Sequence, residues 1–248
     1  MSCFLINELK VTAHLKSQPL NKFGFLIGTM KNTVNKSTGI ILPIVLFFLF
    51  SYASAQQKQD EPKDAKFYID RGIVYGEKGQ YDQAIADFTK ALEIDPKSAG
   101  AYLYRGRAYA YKNQHDQAIS DYTKAIGINP KDAYAYHFRG IAYAEKGQFD
   151  QAVDDFTKAL EIGPKSAGTY FSRGSAYVNK GQFKWAIDDF TKALEMNPKS
   201  ADAYYNRAIA YYFIKEYNNS WKDIQKAQDL GYKIPSNFLE NLRKALKW

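Results

Sequence analysis

Cysteine is nearly absent from this 248-residue chain; Cys3 is its only one, which excludes a disulfide framework and a thiolate metal cage. Histidine is almost as scarce. His14, His115 and His137 make no ligand set with neighbouring carboxylates, so neither a metal centre nor a histidine-based nucleophile system is expected. No Gly-x-Gly-x-x-Gly occurs, and the Lys-Gly pairs at 78–79, 146–147 and 180–181 run opposite to a phosphate loop. Asp154-Asp155 and Asp188-Asp189 are sequence neighbours within helical segments, which points their carboxylates to different faces rather than at one substrate. On these absences neither enzymatic activity nor a cofactor is expected. Like-charged runs are missing too. Lys10, Lys16, Lys22, Lys31 and Lys36 against the single acid Glu8 precede Gln56, so half of the +8 net charge belongs to that segment and no nucleic-acid surface is expected.

What the chain has in abundance is repetition. Pro62-Lys63-Asp64-Ala65, Pro96-Lys97-Ser98-Ala99, Pro130-Lys131-Asp132-Ala133, Pro164-Lys165-Ser166-Ala167 and Pro198-Lys199-Ser200-Ala201 recur every 34 residues. Such a period with two helical segments per unit predicts an all-α solenoid, whose units bury their apolar faces only by stacking. The repeats run 65–98, 99–132, 133–166, 167–200 and 201–234. Position 4 is always Tyr, and position 8 is Gly72, Gly106, Gly140, Gly174 and then Ala208. Position 11 is again Tyr throughout. Position 20 is Ala84, Ala118, Ala152, Ala186 and Ser220; position 24 is Phe88, Tyr122, Phe156, Phe190 and Ile224; position 27 is always Ala. Steps of three and four residues put each set on one helix face, with rings filling the space that Gly and Ala leave.

On these positions the chain resembles the tetratricopeptide repeat family, whose pattern of Trp or Tyr, Leu-Gly, Tyr, Ala, Phe, Ala and Pro it follows from Ala65 to about Ile234. The resemblance implies a right-handed solenoid of helix-turn-helix repeats. One departure is systematic: position 7, commonly Leu in the family, is Arg71, Arg105, Arg139, Arg173 and Arg207. Position 23 is in step Asp87, Asp121, Asp155, Asp189 and Asp223. The replicated opposite charges imply either an Arg-carboxylate pair between helices or two solvated faces that do not meet.

Punctuation marks the helix ends. Asp64, Ser98, Asp132, Ser166 and Ser200 are expected to cap the first helices, and Pro at position 32 to end the second ones. Gly or Asn between the helices supplies a left-handed residue, and Asp82, Asp116 and Asp150 are expected to cap the second helices. Lys184 stands at the corresponding place in the fourth repeat, so its second helix should start less firmly. His115 fills an aromatic position and reads as a packing substitute. The fifth repeat is degenerate, and residues 235–248 form a closing amphipathic helix, with Asn237 and Glu240 spaced as a capping box.

Upstream, an apolar run from Ile40 to Phe50 follows Lys31 and Lys36 and ends in Ala53-Ser54-Ala55, the pattern of a secretory signal with a cleavage site. The run is short for a membrane span, which leaves a retained anchor over 40–55 as the alternative. A signal over 30–55 starts at Met30; residues 1–29 then read as a gene-model artefact or a disordered leader, and 56–64 as a linker. The expected location is the periplasm or the outside of the cell, as in a bacterium.

The family resemblance also implies where binding occurs. First helices line a concave groove, which carries over to Ile69, Leu103, His137, Phe171 and Tyr205 at position 5 and to Ile73, Arg107, Ile141, Ser175 and Ile209 at position 9. Tyr111, Glu145, Asn179, Tyr212 and Phe213 follow from positions 12 and 13. The Lys/Asn/Arg clamp that chaperone-binding members use for a terminal carboxylate is missing. The expected partner is a protein offering an apolar helix or extended peptide, with Arg107 and His137 as polar anchors. Self-association through the first helix, giving a homo-oligomer, and a glycan- or peptidoglycan-binding groove are the alternatives; contact with a membrane is expected only if the signal segment stays uncut.

Overall fold

The structure, a computed structural model, describes residues 64–247. The expectations for residues 1–63, leader, signal segment and linker, lie outside the described residues. Among those described, eleven helices follow one another without a strand. Five pairs come first: α1 (Ala65–Glu77) with α2 (Tyr81–Ile94), α3 (Ala99–Tyr111) with α4 (His115–Ile128), and α5 (Ala133–Glu145) with α6 (Phe149–Ile162). Then come α7 (Ala167–Asn179) with α8 (Phe183–Met196), α9 (Ala201–Phe213) with α10 (Tyr217–Asp229), and finally α11 (Ser236–Leu246). Each helix packs on the next, and first helices touch those of adjoining repeats. That nearest-neighbour pattern is an α-solenoid.

Within a pair, the position-8 glycine lets the position-24 ring lie against the helix backbone. A Cβ on Gly72, Gly106, Gly140 or Gly174 would come within 2.7, 2.7, 2.8 or 2.9 Å of the ring of Phe88, Tyr122, Phe156 or Phe190. No Cβ fits there. The fifth pair solves the same problem with Ala208 against Ile224, both fully buried, so the gain of a methyl is matched by the loss of a ring. Between the helices, Gly79, Asn113, Gly147 and Gly181 take positive φ of 73, 58, 72 and 69°, and Lys215 does so at 64° in the fifth pair.

Repeats are joined by the position-7 arginine. Arg139 donates from Nε and Nη2 to Asp155 at 2.7 and 2.8 Å within its own repeat, and from Nη1 to Thr123 Oγ1 of the preceding repeat at 3.0 Å. Arg105, Arg173 and Arg207 repeat the arrangement on Asp121 with Thr89, Asp189 with Thr157, and Asp223 with Thr191. Arg71 has no preceding repeat; it donates to Asp87 alone at 2.6 Å, and its side chain is 37% exposed where Arg105 is 14%. The five aspartates are buried. Tyrosines at positions 4 and 11 cover the guanidinium, at 5.6 Å from Tyr136 and 5.9 Å from Tyr143 for Arg139. Hydrogen bonding to Asp155 holds the pKa of Arg139 above its usual value, against the opposing effect of burial.

Helix ends depart from the sequence expectations in three places. Asp64, Ser98, Asp132 and Ser200 accept from backbone N–H groups of the first turn, but Ser166 makes no such bond. The reason lies three residues earlier. Asp95, Asn129 and Asn197 accept from the backbone of Lys97, Lys131 and Lys199, whereas Gly163 has no side chain to do so and continues extended at ψ 177°. The junction between the third and fourth repeats therefore lacks the local bonds of the others. Second, Asp82, Asp116 and Asp150 cap nothing: the caps of the second helices are Gln80, Gln114, Gln148 and Gln182, without side-chain bonds. The aspartates lie one residue into the helix, where they favour its positive end and pair with Lys112, Lys146 and Lys180 of the following repeat. With Lys184 in that place α8 still begins at Phe183, in register with its counterparts, but its first turn lacks the favourable acid that α2, α4 and α6 carry. Third, no capping box forms in α11; Pro235 is its N-cap and Glu240 pairs with Lys244 at 2.7 Å. Helix α11 closes the stack by placing Leu242, fully buried, on Ala208 and Ile224.

Two predictions follow from this packing. Gly140→Ala should cost about 1–3 kcal/mol by overpacking Phe156, and the double variant Gly140→Ala with Phe156→Ile should recover part of that loss in urea unfolding. Losses that simply add would contradict the matched exchange seen at Ala208 and Ile224. Arg139→Leu strands Asp155, a buried charge, and should cost about 3–5 kcal/mol. Thr123→Val, which removes only the acceptor across the repeat boundary, should cost about 1 kcal/mol; melting temperatures that rank the two in reverse would reject the assigned roles.

Candidate functional site

First helices present positions 9, 12 and 13 along one side of the solenoid. Three cavities follow one another there. The first, about 490 Å³, lies between α1 and α3 and is lined by Ile73, Glu77, Tyr81, Tyr104, Arg107 and Tyr111 among others. The second, about 360 Å³, lies between α3 and α5 and shares Arg107 and Tyr111 with the first. The third, about 250 Å³, lies between α5 and α7 and shares Ile141 and Glu145 with the second. Shared walls make them one groove. Its floor is apolar, from Phe138 and Ile141 to Phe171 and Ala176; Glu77, Arg107 and Glu145 are its charged residues, and Asn113, His115, Ser172, Ser175 and Asn179 add further polar groups.

The residues singled out in the sequence divide between this groove and the packing beneath it. Arg107, Tyr111, Ile141, Phe171 and Ser175 line it. Arg107 lies 5.0 Å from the centre of the Phe138 ring, which fixes its guanidinium at the wall between the first two cavities. Tyr111 is 62% exposed. Phe171 is half-buried, its ring 5.6 Å from that of Phe190. Ile69 and Leu103 instead pack against the cores formed with Phe88 and with Tyr122. His137 does not serve as a polar anchor through Nδ1, which is bonded to Thr169 at 3.1 Å in the next repeat, and its ring rests on Phe138 and Phe156. Burial lowers the pKa of His137 from 6.5, so the imidazole is neutral at pH 7.

Tyr205 is the main correction. It lines none of the three cavities; its half-buried ring stacks on Tyr232 at 4.6 Å and meets Phe238 of α11 edge-on at 5.9 Å. Tyr212 is likewise packed against Phe238, at 5.4 Å. Ile209 is half-buried, and Phe213, 56% exposed, stacks on Phe183. The three cavities of the groove thus lie over the first four repeats, apart from a further one of about 550 Å³ between the start of α10 and the end of α11. Residues that the resemblance did not supply also line them: position 6, with Tyr104, Phe138 and Ser172, and position 17, with Tyr81, His115 and Phe149. The sequence signal for the latter is the ring that recurs at position 17, which serves packing and lining at once. Among the described residues no group of His, Cys, Asp and Glu could hold a metal ion, and no helix is long and apolar enough to cross a membrane.

Comparison with known families decides what this arrangement is. Tetratricopeptide repeat profiles match residues 65–98 and 133–166, TPR repeat profiles match 106–147 and 174–213, and a further tetratricopeptide profile matches 88–120. The chain belongs to the tetratricopeptide repeat family. Among solved structures, the chain is similar to that of YrrB, described as a TPR protein with an unusual peptide-binding site, at 25% identity and a TM-score of 0.61 over 73% of this chain and 92% of that one. The crystal structure of MamA is similar at 25% identity and a TM-score of 0.61, over 64% of this chain and 93% of that one. No curated protein matches the sequence.

Proposed function

We propose that this tetratricopeptide repeat protein is an exported, non-enzymatic scaffold that holds a peptide segment of a partner protein in the groove along α1, α3, α5 and α7. The observation that carries the reading is the run of three cavities with shared walls, apolar at the floor and carrying only a few charges. A trough that runs on from one repeat to the next suits an extended peptide better than a compact small molecule. The similarity to YrrB, whose description names a peptide-binding site, supports it. Export rests on the short apolar run and the Ala53-Ser54-Ala55 exit, and gives a mature chain starting at Gln56 in the periplasm or beyond it.

Self-association is the second reading. Positions 3 and 10 hold buried Ala or Thr in the second to fifth repeats, but Phe67 and Val74, 38% and 44% exposed, in the first. Light scattering of the purified protein separates the two readings.

One experiment tests the first. With the exported protein as bait, the double variant Tyr111→Ala and Phe171→Ala should lose a partner captured by the wild type while its helicity and melting change little. Lys158→Glu, on the exposed side of α6, should keep that partner. The reverse result would place binding on the outer helices, and mass spectrometry of the bait finding peptides from residues 1–29, or an uncut 40–55 segment, would reject the export assignment.

A further inference from the structure

A ring pair between positions 13 and 17 recurs along the solenoid, formed at the first and last repeat boundaries and missing at the two middle ones. Position 13 of each repeat stands beside position 17 of the repeat before. At the first boundary Tyr111 stacks on Tyr81 with ring centres 5.0 Å apart and planes 9° from parallel. At the last, Phe213 stacks on Phe183 at 4.6 Å and 8°. At the two middle boundaries position 13 is Glu145 and Asn179, beside His115 and Phe149, and neither of those rings has a stacking partner among the described residues. Nδ1 of His115 is buried without a hydrogen-bond partner, the only such side-chain atom among the described residues.

The open places coincide with the second and third cavities, about 360 and 250 Å³, each larger than the roughly 150 Å³ that accepts a benzene ring. Glu145 lines both. It is exposed and makes no ion pair among the described residues, whereas Arg107, the cation nearest the second cavity's wall, is committed to the Phe138 ring. The chain itself shows what fills such a place, since Tyr111 and Phe213 are flat rings laid parallel on the ring below.

We propose that a bound peptide supplies the two missing rings, one over His115 and one over Phe149, and a lysine or arginine that pairs with Glu145 between them. This names the ligand class for the groove and rests on the peptide-binding reading above. An aromatic, cationic segment is thereby distinguished from the purely aliphatic helix that the groove would otherwise also accept.

The test uses the full chain and a random dodecapeptide library displayed on phage. Enriched peptides should carry two aromatic residues and a Lys or Arg. The variant Glu145→Tyr with Asn179→Phe covers the rings of His115 and Phe149 as Tyr111 and Phe213 cover those of Tyr81 and Phe183; it should melt no lower than the wild type and bind the enriched peptides at least tenfold more weakly. Glu145→Gln, which preserves the shape, should weaken them severalfold and reduce the salt dependence of binding. Enriched peptides without aromatic residues, or unchanged affinity for the filled variant, overturn the proposal. Ile141→Arg, checked for its melting temperature, blocks the groove floor: peptides sensitive to it but not to the filled variant reject the ring pairing and leave the groove reading standing. Peptides insensitive to both, or no enrichment, reject the groove reading as well.

Discussion

A guanidinium has five N–H donors in a fixed plane, and in this solenoid that plane spans a repeat boundary. Nε and Nη2 are bound by the aspartate of the same repeat and Nη1 by the threonine of the one before, in four successive copies. The charge pair fixes the angle between the two helices of a repeat, and the hydroxyl fixes the next repeat against it. Because the groove is the set of gaps between first helices, its width depends on this bond network as much as on apolar packing. A leucine at the same position would pack, but it would carry no direction. Breaking the pair leaves a buried carboxylate without its cation, which costs more than the pair contributes when intact, so the network resists loss of any one member.

The same logic explains why the ends of the array differ from its middle. Arg71 has only the intra-repeat half of the network. At the other end, Gln225 replaces the threonine of position 25, and no later arginine needs that hydroxyl. Ala208 with Ile224 replaces glycine with a ring, and α11 then lays Leu242 on that pair. Lys184 and Ile214 change together at the boundary where the lysine–aspartate pair of positions 14 and 18 would otherwise recur. Substitutions in the last repeat are thus matched in pairs rather than scattered.

How much of this was legible in the sequence depended on whether a signal was local or paired across repeats. The period, the helix faces and the tight Gly-ring contacts follow from spacing alone, because steric exclusion acts at fixed helical intervals. The Arg and Asp series was visible as opposite charges in register. Its third member, Thr89, Thr123, Thr157 and Thr191, was not recognised, although its replacement by Gln225 only where no repeat follows was the available clue. Asp82, Asp116 and Asp150 were misassigned because a cap and a bridging residue two positions later have the same composition; only the lysine of the next repeat tells them apart. Tyr205 was misplaced because its position number says nothing about which rings α11 covers. Gly163 shows the converse, since one missing side chain removed a bond and, with it, the cap that Ser166 was expected to make.

For the site, the consequence is a division of labour between conserved spacing and variable filling within one chain. Positions 7, 8, 23 and 24 are nearly invariant among the five repeats, and they set where the first helices stand. Positions 6, 9 and 13 vary, and they decide what each gap contains. Tyr111 and Phe213 cover the rings of Tyr81 and Phe183 with rings of the chain itself. Glu145 and Asn179 put no ring over His115 and Phe149. A solenoid whose repeats were identical at these positions would offer one site many times over. Here the frame repeats while the contents do not, so each gap between first helices presents a different surface.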